Sequence, residues 1–298
     1  MNRSNLLTAA PSGTSRPSGE MDNRPSTEWS FTPSAMVLQQ RGLLPPNNED
    51  DPDVIQARQE IKEKFGISKN YQGNPWVEGN RSADIADDQN VSLFVQNLPS
   101  DCSYHELLSS FRNVGKILAT HISPPGDGHL TCCAKVAFYT REAAAKLHDQ
   151  ISAGEIVIRG HTLRCRWNRV KVAPRGEQWH SRILLIVGPE TEVTRQRLDE
   201  CFVNNFVYNL DEIIDHGVVD GLGRLEYRFA SYPCQAQFAY QAIRSNFSKA
   251  TYVQYAYFDP LRTQKTSFDT LVVPQNVSAW SQLPLLVLTA LSKLSRLV

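Results

Sequence analysis

Apolar and polar residues alternate in "VSLFVQNL" (91–98). Leu93 and Val95 fall on one face, Phe94 and Gln96 on the other. A period of two marks a strand with one buried face. In "SYHELLSSF" the period lengthens. Leu107, Leu108 and Phe111 share one helical side, and Ser103 with Glu106 makes a capping box at its start. "GKILATHI" reads as a second strand. The loop "SPPGDG" leads to a third, 129–139, in which Cys132, Ala134, Val136 and Phe138 oppose Thr131, Cys133, Lys135 and Ala137. Thr140 caps a helix that gathers Ala143, Ala144, Leu147 and Ile151 on one face. A short "EIVI" ribbon precedes the last strand, "TLRCRW". The order is βαββαβ.

The same order returns further on. "RILLIV" (182–187) is a strand. A helix over 191–206 turns Leu198, Cys201, Phe202 and Phe206 inward, and "VYNLDEIIDH" and "LGRLEYRF" are strands. Ser231 opens a helix with Ala236, Ala239, Tyr240 and Ile243 on one side, and "TYVQYAYF" closes the unit. Pro99 matches Pro189 and Phe138 matches Phe229. The repeat is one of architecture, not of identity. The expected fold class is α+β: two ferredoxin-like βαββαβ sandwiches, a disordered N-terminal region and an irregular C-terminal tail.

The flanks differ in composition. Residues 1–50 are rich in Ser, Pro, Asn, Thr and Gly and cannot bury enough apolar surface to offset their ordering entropy. "WSFTP" and "AMVLQQRGLLPP" are candidate docking motifs within them. A short helix is expected over about 52–65, inside a largely disordered region 1–89. The expected layout continues with a first domain at 90–172, a linker at 173–180, a second domain at 181–260 and a tail at 261–298. The tail's apolar run ends before Lys293, short of the roughly 20 residues a membrane-crossing helix needs. No membrane association is expected, and the N-terminus lacks the apolar core of a secretory signal.

Charge and chemistry narrow the function. The 298 residues carry 31 basic and 31 acidic side chains, so any nucleic-acid footprint must be local. The six cysteines form no C-x-x-C pair, and the seven histidines show no zinc spacing or catalytic constellation. No Walker or Rossmann glycine pattern appears. The expectation is therefore no cofactor, no metal and no enzyme, with reduced thiols and a nuclear or cytoplasmic location. Cys133 beside Lys135 reads as a small packing residue rather than a reactive thiol. One stretch breaks the charge balance: from Arg159 to Arg175 there are six Arg or Lys and no acid.

Residues 90–172 resemble the RNA recognition motif family. The first-strand hexamer matches at Leu93, Phe94, Val95, Asn97 and Leu98. The third-strand octamer matches at Ala134, Val136 and Phe138, whereas Thr131, Cys132, Cys133 and Lys135 stand at the usual basic, glycine and two aromatic places. The resemblance implies two helices over one sheet face, leaving the other open to stack unpaired bases. Phe94, Gln96, Asn97, Cys133 and Lys135 then become candidate RNA contacts. Arg164, Arg166, Arg169 and Lys171 join them if Leu163, Cys165 and Trp167 pack inward. The second unit resembles a degenerate member, with Leu184 at the place of Phe94. Its third strand is expected to expose Arg224, Glu226 and Arg228 and to bury Leu225, Tyr227 and Phe229. The tyrosines of "TYVQYAYF" are read mainly as core filling.

The leading expectation is a non-enzymatic protein that binds single-stranded RNA through the first sheet, in RNA processing or post-transcriptional regulation. A protein partner is expected through the second unit or the N-terminal region. The alternative is a protein-interaction adaptor whose sheets no longer bind RNA.

Overall fold

The computed structural model describes residues 33–34, 37–38, 51–67, 75–76, 81–111, 113–126, 128–175 and 179–256. The expectations for residues 1–32, for most of the second docking motif and for the C-terminal tail lie outside them. A helix, α1 (Pro52–Lys64), precedes the two units. Asp51 caps it, Pro52 opens it and Lys62 and Lys64 close it, a charge order that suits the helix dipole.

The first unit comprises β1 (Ser92–Leu98), α2 (Tyr104–Ser109), β2 (Ile117–Ser123), β3 (Cys132–Phe138) and α3 (Arg141–Ser152). A ribbon, β4 (Val157–Ile158) and β5 (His161–Thr162), leads to β6 (Arg164–Trp167). The sheet order is β2-β3-β1-β6, all antiparallel. The capping box forms as the sequence predicts: the Glu106 amide donates to Ser103 Oγ, and the Ser103 amide to the Glu106 carboxylate. Thr140 likewise caps α3. Both helices press onto Leu93, Val95, Ala134, Val136 and Phe138, so one sheet face is core and the other remains open.

The second unit comprises β7 (Ile183–Pro189), α4 (Arg195–Asn205), β8 (Leu210–Val219), β9 (Leu222–Phe229), α5 (Gln237–Asn246) and β10 (Tyr252–Tyr255). Its order, β10-β7-β9-β8, has the same topology. An aromatic core of Phe202, Phe206, Tyr227 and Phe229 fills the space under its helices. Tyr255 joins it, stacked on Tyr240 at 4.9 Å, as the core-filling reading expects.

Two expectations for this unit are corrected. Leu184 pairs with Tyr227 and is fully buried in the core. Leu185 therefore occupies the place that Phe94 holds in the first sheet. The prolines at the strand ends align one residue out of step with the strands, and a one-residue shift exchanges the two faces. Glu226 is not exposed either. It is 0% accessible and accepts from Arg228 Nε at 2.6 Å and lies 3.3 Å from His216 Nε2, while Arg228 also reaches Glu212 at 3.1 Å. Arg224 and Arg228 are half-buried. A polar side chain on an open face is solvated only where nothing covers it. Here Glu226 and Arg228 neutralise one another instead.

The units pack together across the outer edge of β2. An edge strand leaves one row of backbone groups unpaired. Ser231 satisfies two of them: its Oγ accepts from the Thr120 amide at 3.0 Å and donates to the Thr120 carbonyl at 3.1 Å. His105, on α2, meets the buried Asp211 of β8 at 3.2 Å, and Arg182 holds the other oxygen of that carboxylate at 3.0 Å. Leu118, Ala137 and Tyr139 of the first unit belong to the second unit's core cluster.

The segment after β6 is tied down as well. The Asn168 amide donates to the Ser92 carbonyl, the Val91 amide to the Val172 carbonyl, and the Arg175 amide to the Tyr139 carbonyl. It thus crosses one end of the first sheet as a strap from β6 over β1 to β3. Far from these contacts, the Ser34 amide donates to the Asn205 carbonyl at 2.8 Å, at the end of α4, and Val37 is buried.

Candidate nucleic-acid interface

Strand register builds the site. His121 pairs with Lys135, Lys135 with Phe94, and Phe94 with Arg166. Paired residues point to the same face, so these four side chains form one row across the open sheet, spanning about 14 Å. A second row holds Ser123 beside Cys133, and Gln96 beside Arg164. A third row, Ala119, Ala137 and Ser92, is largely closed off where the second unit and the strap pack. The accessible part of the face is therefore the half nearer Phe94 and Gln96.

The aromatic ring in this half is flanked by cations. The Arg166 guanidinium lies over the Phe94 ring, 5.0 Å from its centroid. Lys135 stands on its other side, half-buried, and burial lowers its ammonium pKa from the usual lysine range. Burial, and then the Lys135 charge, press His121 below its ordinary 6.5. No acid stands in either row. Burial raises the Cys133 thiol, against the smaller opposing effect of the Ser123 hydroxyl, so it is protonated at neutral pH. Cys102, Cys165 and Cys201 are pushed up to about 11, in each case chiefly by burial.

Leu163 is buried, and Cys165 and Trp167 pack on the core side, Trp167 between the Arg141 guanidinium and the stacked His148 ring. Arg164 and Arg166 accordingly emerge on the open face, both exposed. Arg169 is exposed just beyond β6.

Two candidates have partners within the fold. Asn97 has a left-handed backbone, φ 66°, at the irregular end of β1, and its Nδ2 donates to the Thr162 carbonyl at 2.9 Å. It thereby ties the ribbon to the sheet. Lys171 Nζ binds Asp87 at 2.7 Å and the Ile85 carbonyl at 2.8 Å, so its charge is engaged on the strap, off the sheet.

Sequence reasoning missed His121. The alternation in "GKILATHI" carried the necessary signal, because His121 shares a parity with Ala119 and Ser123. Only the pairing with Lys135 showed that it belongs to the row.

Among the described residues, no group of three His, Cys, Asp or Glu side chains is placed to hold a metal ion, and no helix is long and apolar enough to cross a membrane.

The family model of the RNA recognition motif matches residues 93–164, so the first unit is an RNA recognition motif domain. The second unit repeats its topology beyond that match. No curated protein matches the chain. Solved structures that resemble it include the RNA recognition domains 1 and 2 of Sex-lethal from Drosophila melanogaster, at 20% identity. That likeness covers 56% of this chain and 100% of that one, with a TM-score of 0.23. The first two such domains of the yeast poly(U) binding protein share 17% identity over 56% of this chain and 99% of theirs, with a TM-score of 0.24. The N-terminal three RNA binding domains of a yeast splicing factor share 11% over 55% and 62%, with a TM-score of 0.26.

Proposed function

We propose that this protein binds single-stranded RNA on the accessible half of its first sheet, without catalysing a reaction on it. The observation that carries this reading is the row His121, Lys135, Phe94 and Arg166. Phe94 supplies a ring on which one unpaired base stacks, a contact worth about 1–3 kcal/mol. Arg166 already lies on that ring, so a bound base either displaces it or sits beside it under the same guanidinium plane. Arg164, Arg169 and Lys135 face the phosphate chain, and Gln96 and Cys133 line the floor. The second unit serves as the packing partner that fixes the edge of the first sheet. A role in RNA processing or post-transcriptional regulation, in the nucleus or cytoplasm, fits this chemistry.

The test is a titration of the full chain with labelled unstructured RNA at several salt concentrations. Replacing Arg164 and Arg169 with Gln should lower affinity for all sequences alike and reduce the slope of log K against log salt by about 0.7 for each lost contact. An unchanged slope would place the phosphate chain elsewhere. Wild-type protein without salt-dependent RNA affinity would instead favour the adaptor reading, in which the same face receives an acidic peptide.

A further inference from the structure

A second exposed ring stands at the junction of the two units. Trp179 is 65% exposed, more open than any other Trp, Tyr or Phe among the described residues. Its position is nevertheless fixed. The indole lies over His180 with centroids 3.8 Å apart and meets the edge of Tyr255 at 5.3 Å. His180 in turn packs on Tyr232 at 5.0 Å. An aromatic ring held this way loses little freedom when a second ring stacks on it.

Two cations act on its neighbour His180. Lys116 Nζ lies 4.4 Å from the centre of the Tyr139 ring, and the Arg175 amide is bonded to the Tyr139 carbonyl. Burial and the charges of both Lys116 and Arg175 hold His180 below its ordinary 6.5. His180 Nδ1 is buried and has no hydrogen-bond partner among the described residues.

The position of this cluster links it to the first site. Lys135, Ala137 and Tyr139 follow one another on the same side of β3 and its extension, so Tyr139 lies about 13 Å along the strand from Lys135. The open face ends at the covered row, beyond which β3 runs on to the Tyr139 junction.

We propose that Trp179, with Arg175 and Lys116, forms a second stacking site for an unpaired base of the same RNA strand, at the junction between the units. This inference rests on the RNA reading of the first sheet. Trp179 gives the stacking face, and the two cations take the flanking phosphates. Such a site carries little sequence preference, because every base has a stacking face. It lengthens the RNA the protein holds without adding a second competent sheet.

The test uses the full chain and two unstructured RNAs, of about four and about twelve nucleotides, the shorter sized for one sheet. Trp179→Ala should weaken the longer RNA by about 5- to 150-fold and leave the shorter unchanged. Trp179→Phe should recover most of the loss, and both variants should melt as the wild type does. Phe94→Ala should weaken both RNAs. If Phe94→Ala weakens both while Trp179→Ala changes neither, the junction site is overturned and the sheet reading stands, leaving Trp179 as a protein contact. An equal loss for both RNAs in Trp179→Ala also overturns it, since that pattern reports altered packing. If Trp179→Ala weakens the long RNA but Phe94→Ala weakens nothing, the sheet reading fails and the junction alone binds.

Discussion

The two sheets share a topology and differ at matched places. On the central strand of the first stands Phe94, and on that of the second Leu185. Beside them on the neighbouring strand stand Lys135 and Glu226. Lys135 has no acid in its row and remains partly open. Glu226 is enclosed by Arg228 and His216, and Leu185 is buried with Val187 and Ala256. The same backbone thus offers an unneutralised positive surface around a ring in one unit and, in the other, a surface closed around the Glu226–Arg228 pair. What distinguishes a binding sheet from a packing sheet here is whether its polar groups have already found partners.

The largest expected effect tests that statement at its charged pair. Glu226→Ala should cost about 3 kcal/mol of stability, because it strips the half-buried Arg228 of its nearer carboxylate. Lys135→Met, at the matched place, should leave the denaturation midpoint no lower, because burial already disfavours the ammonium there. Chemical denaturation measures both. A Glu226→Ala midpoint like that of the wild type would show that the second sheet is as wet as the first.

Next comes the ring. Phe94→Ala should lower RNA affinity by about 2 kcal/mol, whereas Leu185→Ala should leave affinity alone and reduce stability. Anisotropy titration beside a melting curve separates the two, and equal losses of affinity would erase the distinction between the sheets.

The comparison also assumes that the second unit supports the first. Ser231→Ala removes both partners of the Thr120 backbone and should cost about 1–2 kcal/mol. The readout is hydrogen exchange at β2. Unchanged protection at Thr120 would mean the edge does not depend on the second unit.

The smallest effect is in pH. His121 and His180 are both held below their ordinary 6.5, so the folded chain binds fewer protons there than the unfolded chain. Stability should therefore be full above that value and decline as pH falls through 6.5 toward the depressed folded values. His121→Gln and His180→Gln should each flatten the decline. A midpoint that rises on acidification would contradict the sign.

Much of this protein is written in its periodicities. The alternation of 91–98 and 129–139, the capping box at Ser103 and Glu106, and the repeated βαββαβ order together determined the fold class. They also placed Phe94, Gln96, Cys133 and Lys135 on one face of the sheet. These are local signals, because side-chain direction in a strand follows from the residue's own parity. The tertiary structure decided what parity leaves open. It chose Leu185 over Leu184, because register in the second unit is set by packing against Tyr227 and Phe229 and not by the prolines at the strand ends. It turned Asn97 and Lys171 to structural partners far away in the chain, Thr162 and Asp87. It also joined His121 to Lys135, closed Glu226 into a charge network and set Trp179 beside Tyr255 of the second unit. Each of these depends on pairings between distant residues, whose energies are fixed by burial and by which partner arrives first in space. A single sequence carries no local mark of either.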